Sequence, residues 1–262
     1  MNEAPVSACV ITLNEEGNIG RCLRSLQWVD EILVVDSGSD DDTVEIAESL
    51  GARVLYNDWP GYRDQKQFAA DNAKNDWILS IDADEEVSNE LRKSINTTVG
   101  DSPDPRTSYK VNRKCQFLGR WIEHGSWYPD WVLRLFNRRK TEWVGGDLHE
   151  HVQPTETVEF LDGNLYHYPY ENISENVEYG NYYSAIQSRE LHRKGRSSGL
   201  FTALGHGSFK FFKDYILKRG FMDGMPGFVI ATIGSFNVFL KYAKLWEKNH
   251  TDTSGNPDYP RS

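Results

Sequence analysis

Three cysteines in 262 residues are too few to staple a fold. Cys9, Cys22 and Cys115 leave one thiol over under any pairing and match no metal-binding spacing, so a disulfide scaffold is excluded and a reducing compartment, the cytoplasm, is expected. No secretory leader is expected either: Met1 to Pro5 runs straight into the strand-like Val6 to Leu13 with neither a basic region nor a small-residue cleavage site. Neither G-x-G-x-x-G nor G-x-x-x-x-G-K-[ST] occurs, which removes the two common glycine loops that cradle phosphate. Excess positive charge is absent as well. The net charge of -10 argues against a general nucleic-acid binder, and no nucleic-acid partner is expected.

The charge that is present is uneven. Residues 1 to 105 carry 22 acids against 8 bases, whereas between Arg189 and Arg219 eight bases face only Glu190 and Asp214. Gly224 to Leu240 is 17 residues without a charge, short of the roughly 20 that span a bilayer, and holds Pro226, Ser235 and Asn237. With the basic, aromatic Phe209 to Phe221 before it and Lys241 and Lys244 after it, this stretch suits helices lying on an anionic membrane surface; a helical subdomain packed on the core is the other reading.

The first hundred residues alternate. Val6 to Leu13, Glu31 to Asp36, Arg53 to Tyr56 and Trp77 to Asp82 read as strands; Ile19 to Leu26, Thr43 to Leu50, Tyr62 to Ala73 and Asn89 to Asn96 read as helices. That order predicts an α/β fold with a mostly parallel central sheet. Gly51 suits a left-handed helix end, and Asp101 to Arg106 with its two prolines marks a boundary. Strands are expected again at Tyr109 to Arg113 and Val132 to Phe136, with the rest of Ser108 to His167 irregular. The expected domains are residues 1–170, with halves 1–105 and 106–170, and a helical, basic and aromatic segment over 171–262.

Ligands of an open parallel sheet bind beyond the carboxyl ends of its strands, and three strands here end in polar clusters: Asn14-Glu15-Glu16, Asp36 to Thr43, and Asp82-Ala83-Asp84-Glu85-Glu86. Two carboxylates at i and i+2 of an extended segment face one way, so Asp82 and Asp84 suit a hard divalent cation that also binds phosphate oxygens. Asp41, Asp42 and Thr43 are explained by capping of the following helix; Asp36, closing the apolar strand Ile32 to Val35, is not.

Thr12-Leu13-Asn14-Glu15, Val34-Val35-Asp36-Ser37-Gly38-Ser39-Asp40 and Asp82-Ala83-Asp84 resemble, in order, the signature segments of family 2 glycosyltransferases of the GT-A fold. Trp127 to Phe136, His149-Glu150 and Lys241 to Trp246 resemble the subgroup containing lipopolysaccharide core β-1,4-glucosyltransferases. The resemblance implies an inverting transfer of a hexose, glucose, from a UDP-sugar to a saccharide acceptor carried by a lipid, at the cytoplasmic face of the inner membrane. It implies that Leu13, Asn14, Glu15, Asp36, Ser39, Asp82 and Ala83 hold the nucleotide sugar, with Gln65, Lys66 and Arg134 near its base or phosphates. Asp84, with Asp82 and His149, would hold Mn²⁺ or Mg²⁺. Asp130, followed four residues on by Arg134, and Glu150 are the two candidates for the catalytic base. Trp121, Trp127, Tyr128 and Trp131 could form a sugar-stacking platform or serve as core. A nucleotidyltransferase and an inactive carbohydrate-binding protein of the same fold are the alternatives; the former would want a basic glycine loop where Asn14-Glu15-Glu16-Gly17 is acidic.

Overall fold

The computed structural model describes residues 4–100, 103–146 and 150–251. These fall into two compact units, Met1–Cys115 with Pro129–Pro169, and Gln116–Tyr128 with Tyr170–Ser262.

The first unit opens with the expected alternation: β1 (Val6–Thr12), α1 (Glu16–Ser25), β2 (Glu31–Asp36), α2 (Thr43–Ser49), β3 (Arg53–Tyr56), α3 (Tyr62–Asn72) and β4 (Trp77–Asp82). These strands lie parallel in the order β3-β2-β1-β4. Parallel strands joined by helices are covered on both faces, which is why β2 is buried at every position instead of alternating. Successive side chains still divide between the faces: Ala8, Val10 and Val34 join the core under α1, and Cys9, Leu33 and Val35 join a second core against Ala69 and Ala70 of α3 and Ala73 just past its end. Gly51 takes the left-handed φ of +82° that ends α2, where Gly51 N donates to Glu48 O and Ala52 N to Ala47 O.

The chain then changes direction. Following β5 (Glu85–Val87) and α4 (Asn89–Gly100) come β6 (Thr107–Phe117), β7 (Arg120–Trp121), β8 (Asp130–Asn137), β9 (Trp143–Val144), β10 (His151–Val152) and β11 (Thr157–His167). The sheet continues from β4 as β8-β6-β11-β5, with β8 antiparallel to both neighbours, β11 parallel to β6, and β5 antiparallel to β11. The mixed but mostly parallel α/β arrangement agrees with the GT-A expectation. The sequence reading has no strand at Thr157–His167. The register of β11 against β6 breaks between Phe160 and Asn164, so its sequence shows no continuous period of two. Gly163, at φ +95° in that irregularity, lies so close to α4 that a Cβ would stand 2.2 Å from Leu91 N.

The second unit is helical: α5 (Ile173–Arg193), α6 (Leu200–Phe211) continued by a π-helical turn (Phe212–Leu217), a 3₁₀ turn (Gly220–Asp223) and α7 (Gly224–His250). Asn172 caps α5 by accepting from Glu175 N at 2.9 Å. Residues Gln116–Tyr128 belong to this unit, held by buried Asp223, which accepts from His124 N (2.8 Å) and pairs with His124 Nδ1 (3.0 Å). The uncharged stretch read from the sequence extends in the structure to a 27-residue helix, and Gly220–His250 is long and apolar enough by length and composition to cross a membrane. Large apolar side chains of this unit face outward, Phe201 at 89% and Met225 at 70% exposure among them.

Candidate active site

The loops after β1 and β2 are fastened to each other. Asn14 adopts a left-handed φ of +55°, a conformation asparagine tolerates, and is held there from the other loop: its backbone N donates to Ser39 Oγ (2.9 Å) and its side-chain Oδ1 accepts from Asp40 N (3.0 Å). Glu15 N donates to Thr43 Oγ1 at 2.7 Å. Asp36 is buried and engaged with its own loop, Oδ2 accepting from Gly38 N (2.8 Å) and Ser39 N (2.9 Å) and Oδ1 from Ser39 Oγ (2.5 Å). Leu13 is exposed between these loops. Asp42 stands at the N-cap of α2 without a side-chain bond; the capping bonds come from Asp41, which accepts from Thr43 N and Glu16 N. Gln65 is fully buried, donating to Ser37 Oγ (2.9 Å) and accepting from Asn57 Nδ2 (2.6 Å).

Beside these loops runs a chain of alternating charges. Lys66 Nζ lies 3.2 Å from Glu150 Oε1 and 3.0 Å from Asp82 Oδ1. Arg134 reaches Asp82 Oδ2 and Glu85 Oε1, each at 2.6 Å. Arg113 stands 3.5 Å from Glu85 and holds Asp130 Oδ2 at 2.8 Å. Four carboxylates and three cations thus connect Glu150 to Asp130 without a gap. The register explains part of the second half: Asp130 is opposite Arg113 on β6, while Arg134 falls where the β6–β8 register shifts, between the pairs Lys110–Leu133 and Tyr109–Leu135. Burial alone would raise the Asp82 carboxyl, but Arg134 and Lys66 outweigh it and hold the group well below the usual carboxylate range.

Asp84 stands apart from that chain. Its Oδ2 lies 3.0 Å from Nε2 of His167, whose Nδ1 lies 3.3 Å from Cys115 Sγ. Burial would lower the imidazole; Asp84 overrides it and pushes His167 up to about 10. A carboxylate beside an imidazole is a donor set that Mn²⁺ accepts. Among the described residues no three His, Cys, Asp or Glu side chains converge as a ready metal cluster. His149 lies outside the described residues. Ala83, between the two aspartates, is buried in the core.

The structure therefore gathers Lys66, Asp82, Arg134, Asp130 and Glu150 into one network, places Asp84 on His167, and puts Asn14, Glu15, Asp36 and Ser39 in the adjoining loops. Glu85, Arg113 and His167 carry no assigned role in the sequence reading. Glu85 is visible there only as part of an acid run; on β5 it turns fully inward. The aromatic residues divide: Trp127 packs with Phe117 and Tyr170 in the second unit, while Trp131 meets Phe160 edge-on in the first.

Residues 7–103 match the family model described as Glycosyl transferase family 2. The chain is 36% identical over 255 residues to an uncharacterized glycosyltransferase of Rickettsia felis, covering 92% of this chain and 89% of that one. It is 29% identical over 261 residues to the lipopolysaccharide core biosynthesis glycosyltransferase LpsC of Rhizobium meliloti, covering 97% and 96%. Among solved structures, glucosyl-3-phosphoglycerate synthase from Mycobacterium tuberculosis, in complex with Mn²⁺, uridine diphosphate and glucosyl-3-phosphoglycerate, aligns with TM-score 0.34 and 26% identity over 41% of this chain and 43% of that one.

Proposed function

The chain belongs to glycosyltransferase family 2 and is a glycosyltransferase, and from that premise we propose that it moves glucose from UDP-glucose, with inversion, to a saccharide of a lipid-linked acceptor, the lipopolysaccharide inner core. The observation that carries this reading is the Glu150–Lys66–Asp82–Arg134–Glu85–Arg113–Asp130 chain at the strand ends. It offers what an inverting transfer needs: a carboxylate able to take a proton, and cations near a departing diphosphate.

Asp130 is the base. Arg113 fixes its carboxylate by two bonds, from Nε at 2.9 Å and NH2 at 2.8 Å, leaving it half-buried and oriented. As the acceptor oxygen bonds the anomeric carbon, Asp130 takes its proton and the bond from that carbon to the diphosphate breaks, releasing UDP. Glu150 holds Lys66. Lys66 and Arg134 hold Asp82 in place, and Lys66 sets a positive charge beside the nucleotide diphosphate. Asp84 and His167 are the residues that would hold a divalent cation, which supplies positive charge to the diphosphate. The loops built on Asn14, Asp36 and Ser39 enclose the uridine.

The second unit supports a lipid-borne acceptor. Phe201, Phe209, Phe212 and Leu217 are exposed among Lys210, Lys213, Lys218 and Arg219, a mixture suited to the surface of an anionic membrane on its cytoplasmic side. The nucleotidyltransferase alternative loses ground because the segment after β1 is tied to Ser39 and Thr43 and carries acids where that chemistry wants a basic phosphate loop.

The test is UDP release from a panel of UDP-sugars with Mn²⁺ and truncated lipopolysaccharide. Acceptor-dependent release from UDP-glucose is expected; release from a different sugar corrects the donor, and none from any UDP-sugar refutes the reading.

A further inference from the structure

All three cysteines are buried, but their sulfurs face different partners. Cys9 Sγ and Cys22 Sγ each lie 3.6 Å from a backbone carbonyl, Ala69 O and Asp82 O, as inert core thiols do. Cys115 Sγ instead lies 3.3 Å from Nδ1 of His167, the ring whose other nitrogen reaches Asp84. No step of the transfer described above uses this sulfur.

Strand pairing sets the contact. Parallel register puts Cys115 of β6 directly opposite His167 of β11, so their side chains leave the same face of the sheet. β5 flanks His167 on the other side, with Glu85 opposite it. Tyr168 N donates to Asp84 O at 3.0 Å, which ties the residue after His167 to the backbone of Asp84. The ring, its side chain only 14% exposed, therefore stands between a carboxylate at Nε2 and a thiol at Nδ1.

An imidazole offers a lone pair at Nε2 only in the neutral tautomer that carries its proton on Nδ1. In a ring this buried, that N–H needs an acceptor, and the group that supplies one fixes both the tautomer and the ring's orientation. A thiol sulfur is an acceptor, though a weak one, and 3.3 Å is within its reach. A hydrocarbon side chain in its place would leave Nδ1–H unmet and the ring free to turn.

We propose that Cys115 is a positioning residue for the divalent cation: its sulfur accepts from Nδ1 of His167 and so turns the Nε2 lone pair toward the space beside Asp84. This rests on the reading of Asp84 and His167 as the residues that hold the cation.

Two measurements on the full chain with UDP present test it. Electron spin-echo spectroscopy of bound Mn²⁺ detects coupling to the nitrogen of a ligating imidazole, expected in wild type and lost in His167→Gln. Calorimetric titration of Mn²⁺ then compares Cys115→Ser, which keeps an acceptor, with Cys115→Val, which fills the space without one. Cys115→Val should weaken Mn²⁺ binding by about ten- to a hundredfold, the usual effect of losing such a partner. Cys115→Ser should stay near wild type, and UDP alone should bind all three alike. A role in packing predicts the opposite order, with Cys115→Val near wild type and Cys115→Ser impaired; that order, or equal Mn²⁺ affinity in all three, overturns the proposal. Should Cys115→Val not fold, Cys115→Ala takes its place with the same expected loss. Nitrogen coupling in wild type together with Mn²⁺ affinity indifferent to residue 115 removes Cys115 and leaves the cation on His167. Absence of nitrogen coupling in wild type defeats the placement of the cation on His167, and the proposal with it.

Discussion

Replacing Arg134 by methionine removes the cation that joins Asp82 to Glu85. Arg134 is 4% exposed and Glu85 is fully buried, and after the substitution Arg113, 3.5 Å away, is the one cation left to Glu85 among the described residues, beside the hydrogen bond its Oε2 accepts from Asp82 N at 2.9 Å. Asp82 still has Lys66 at 3.0 Å, so the burden falls on Glu85. Stripping one partner from a buried ion pair costs about 3–5 kcal/mol because the remaining charge is left without compensation. For a chain of this size that corresponds to a fall in Tm of roughly 10 °C, taking ~2–4 °C per kcal/mol. Arg134→Lys should lose less, since an ammonium keeps the charge and the guanidinium Nε, which is buried without a partner, disappears. Urea unfolding of wild type, Arg134→Met, Glu85→Gln and the double variant measures this directly. The double variant should be more stable than the sum of the two losses predicts, by ~1 kcal/mol or more, because the uncharged amide that replaces the carboxylate no longer needs the cation. A single-variant loss under ~1 kcal/mol, or strict additivity, would refute the view of Arg134 as the tie between two carboxylates.

Three further outcomes are expected. Asp130→Asn should abolish turnover while leaving UDP affinity near wild type, whereas Glu150→Gln should weaken UDP binding through Lys66; steady-state kinetics with calorimetry separates them, and normal rates in Asp130→Asn would remove it as base. Glu31, in β2, is a buried carboxylate that burial alone would raise, but Ser7 Oγ (2.6 Å), Lys74 N (2.6 Å) and Arg53 (2.7 Å) bring it below its ordinary 4.5. A depressed folded value contributes stability that is complete above pH 4.5 and is lost as pH falls through the folded value, so Glu31→Gln should cost ~2 kcal/mol at neutral pH and flatten the acid limb of the stability profile; an unchanged slope would contradict the assignment. Vesicles containing anionic lipid should sediment the full chain in a salt-sensitive manner, and Phe201→Ser with Phe209→Ser should weaken this; equal binding to neutral vesicles would count against an electrostatic contribution.

What could be read in advance divides at β4. Up to Asp82 each strand pairs in parallel with neighbours linked to it by a helix, so the hydrophobic period and the polar strand ends suffice to place Asn14, Asp36, Asp82 and Asp84 on one edge. Beyond it the order β4-β8-β6-β11-β5 mixes strands far apart in the chain, and no local pattern announces which will be neighbours. Arg113 meets Asp130 only because β6 and β8 pair antiparallel in that register, and His167 meets Asp84 only because β11 lies beside β5. The bulge at Gly163 hides the strand that delivers His167. Asp36 was legible as a special residue by its place at a strand end; that its oxygens hold its own loop follows from the turn at Gly38 and Ser39, which a linear pattern does not display.

Calorimetric titration of UDP into the full chain, with and without Mn²⁺, bears most directly on the donor site at the strand ends. Wild type should bind UDP more tightly with the metal present, Asp84→Ala should bind with the same affinity in both conditions, and Asp130→Asn should behave as wild type. Identical isotherms with and without Mn²⁺ in the wild-type chain, or a metal effect that survives Asp84→Ala, would contradict the placement of the cation on Asp84.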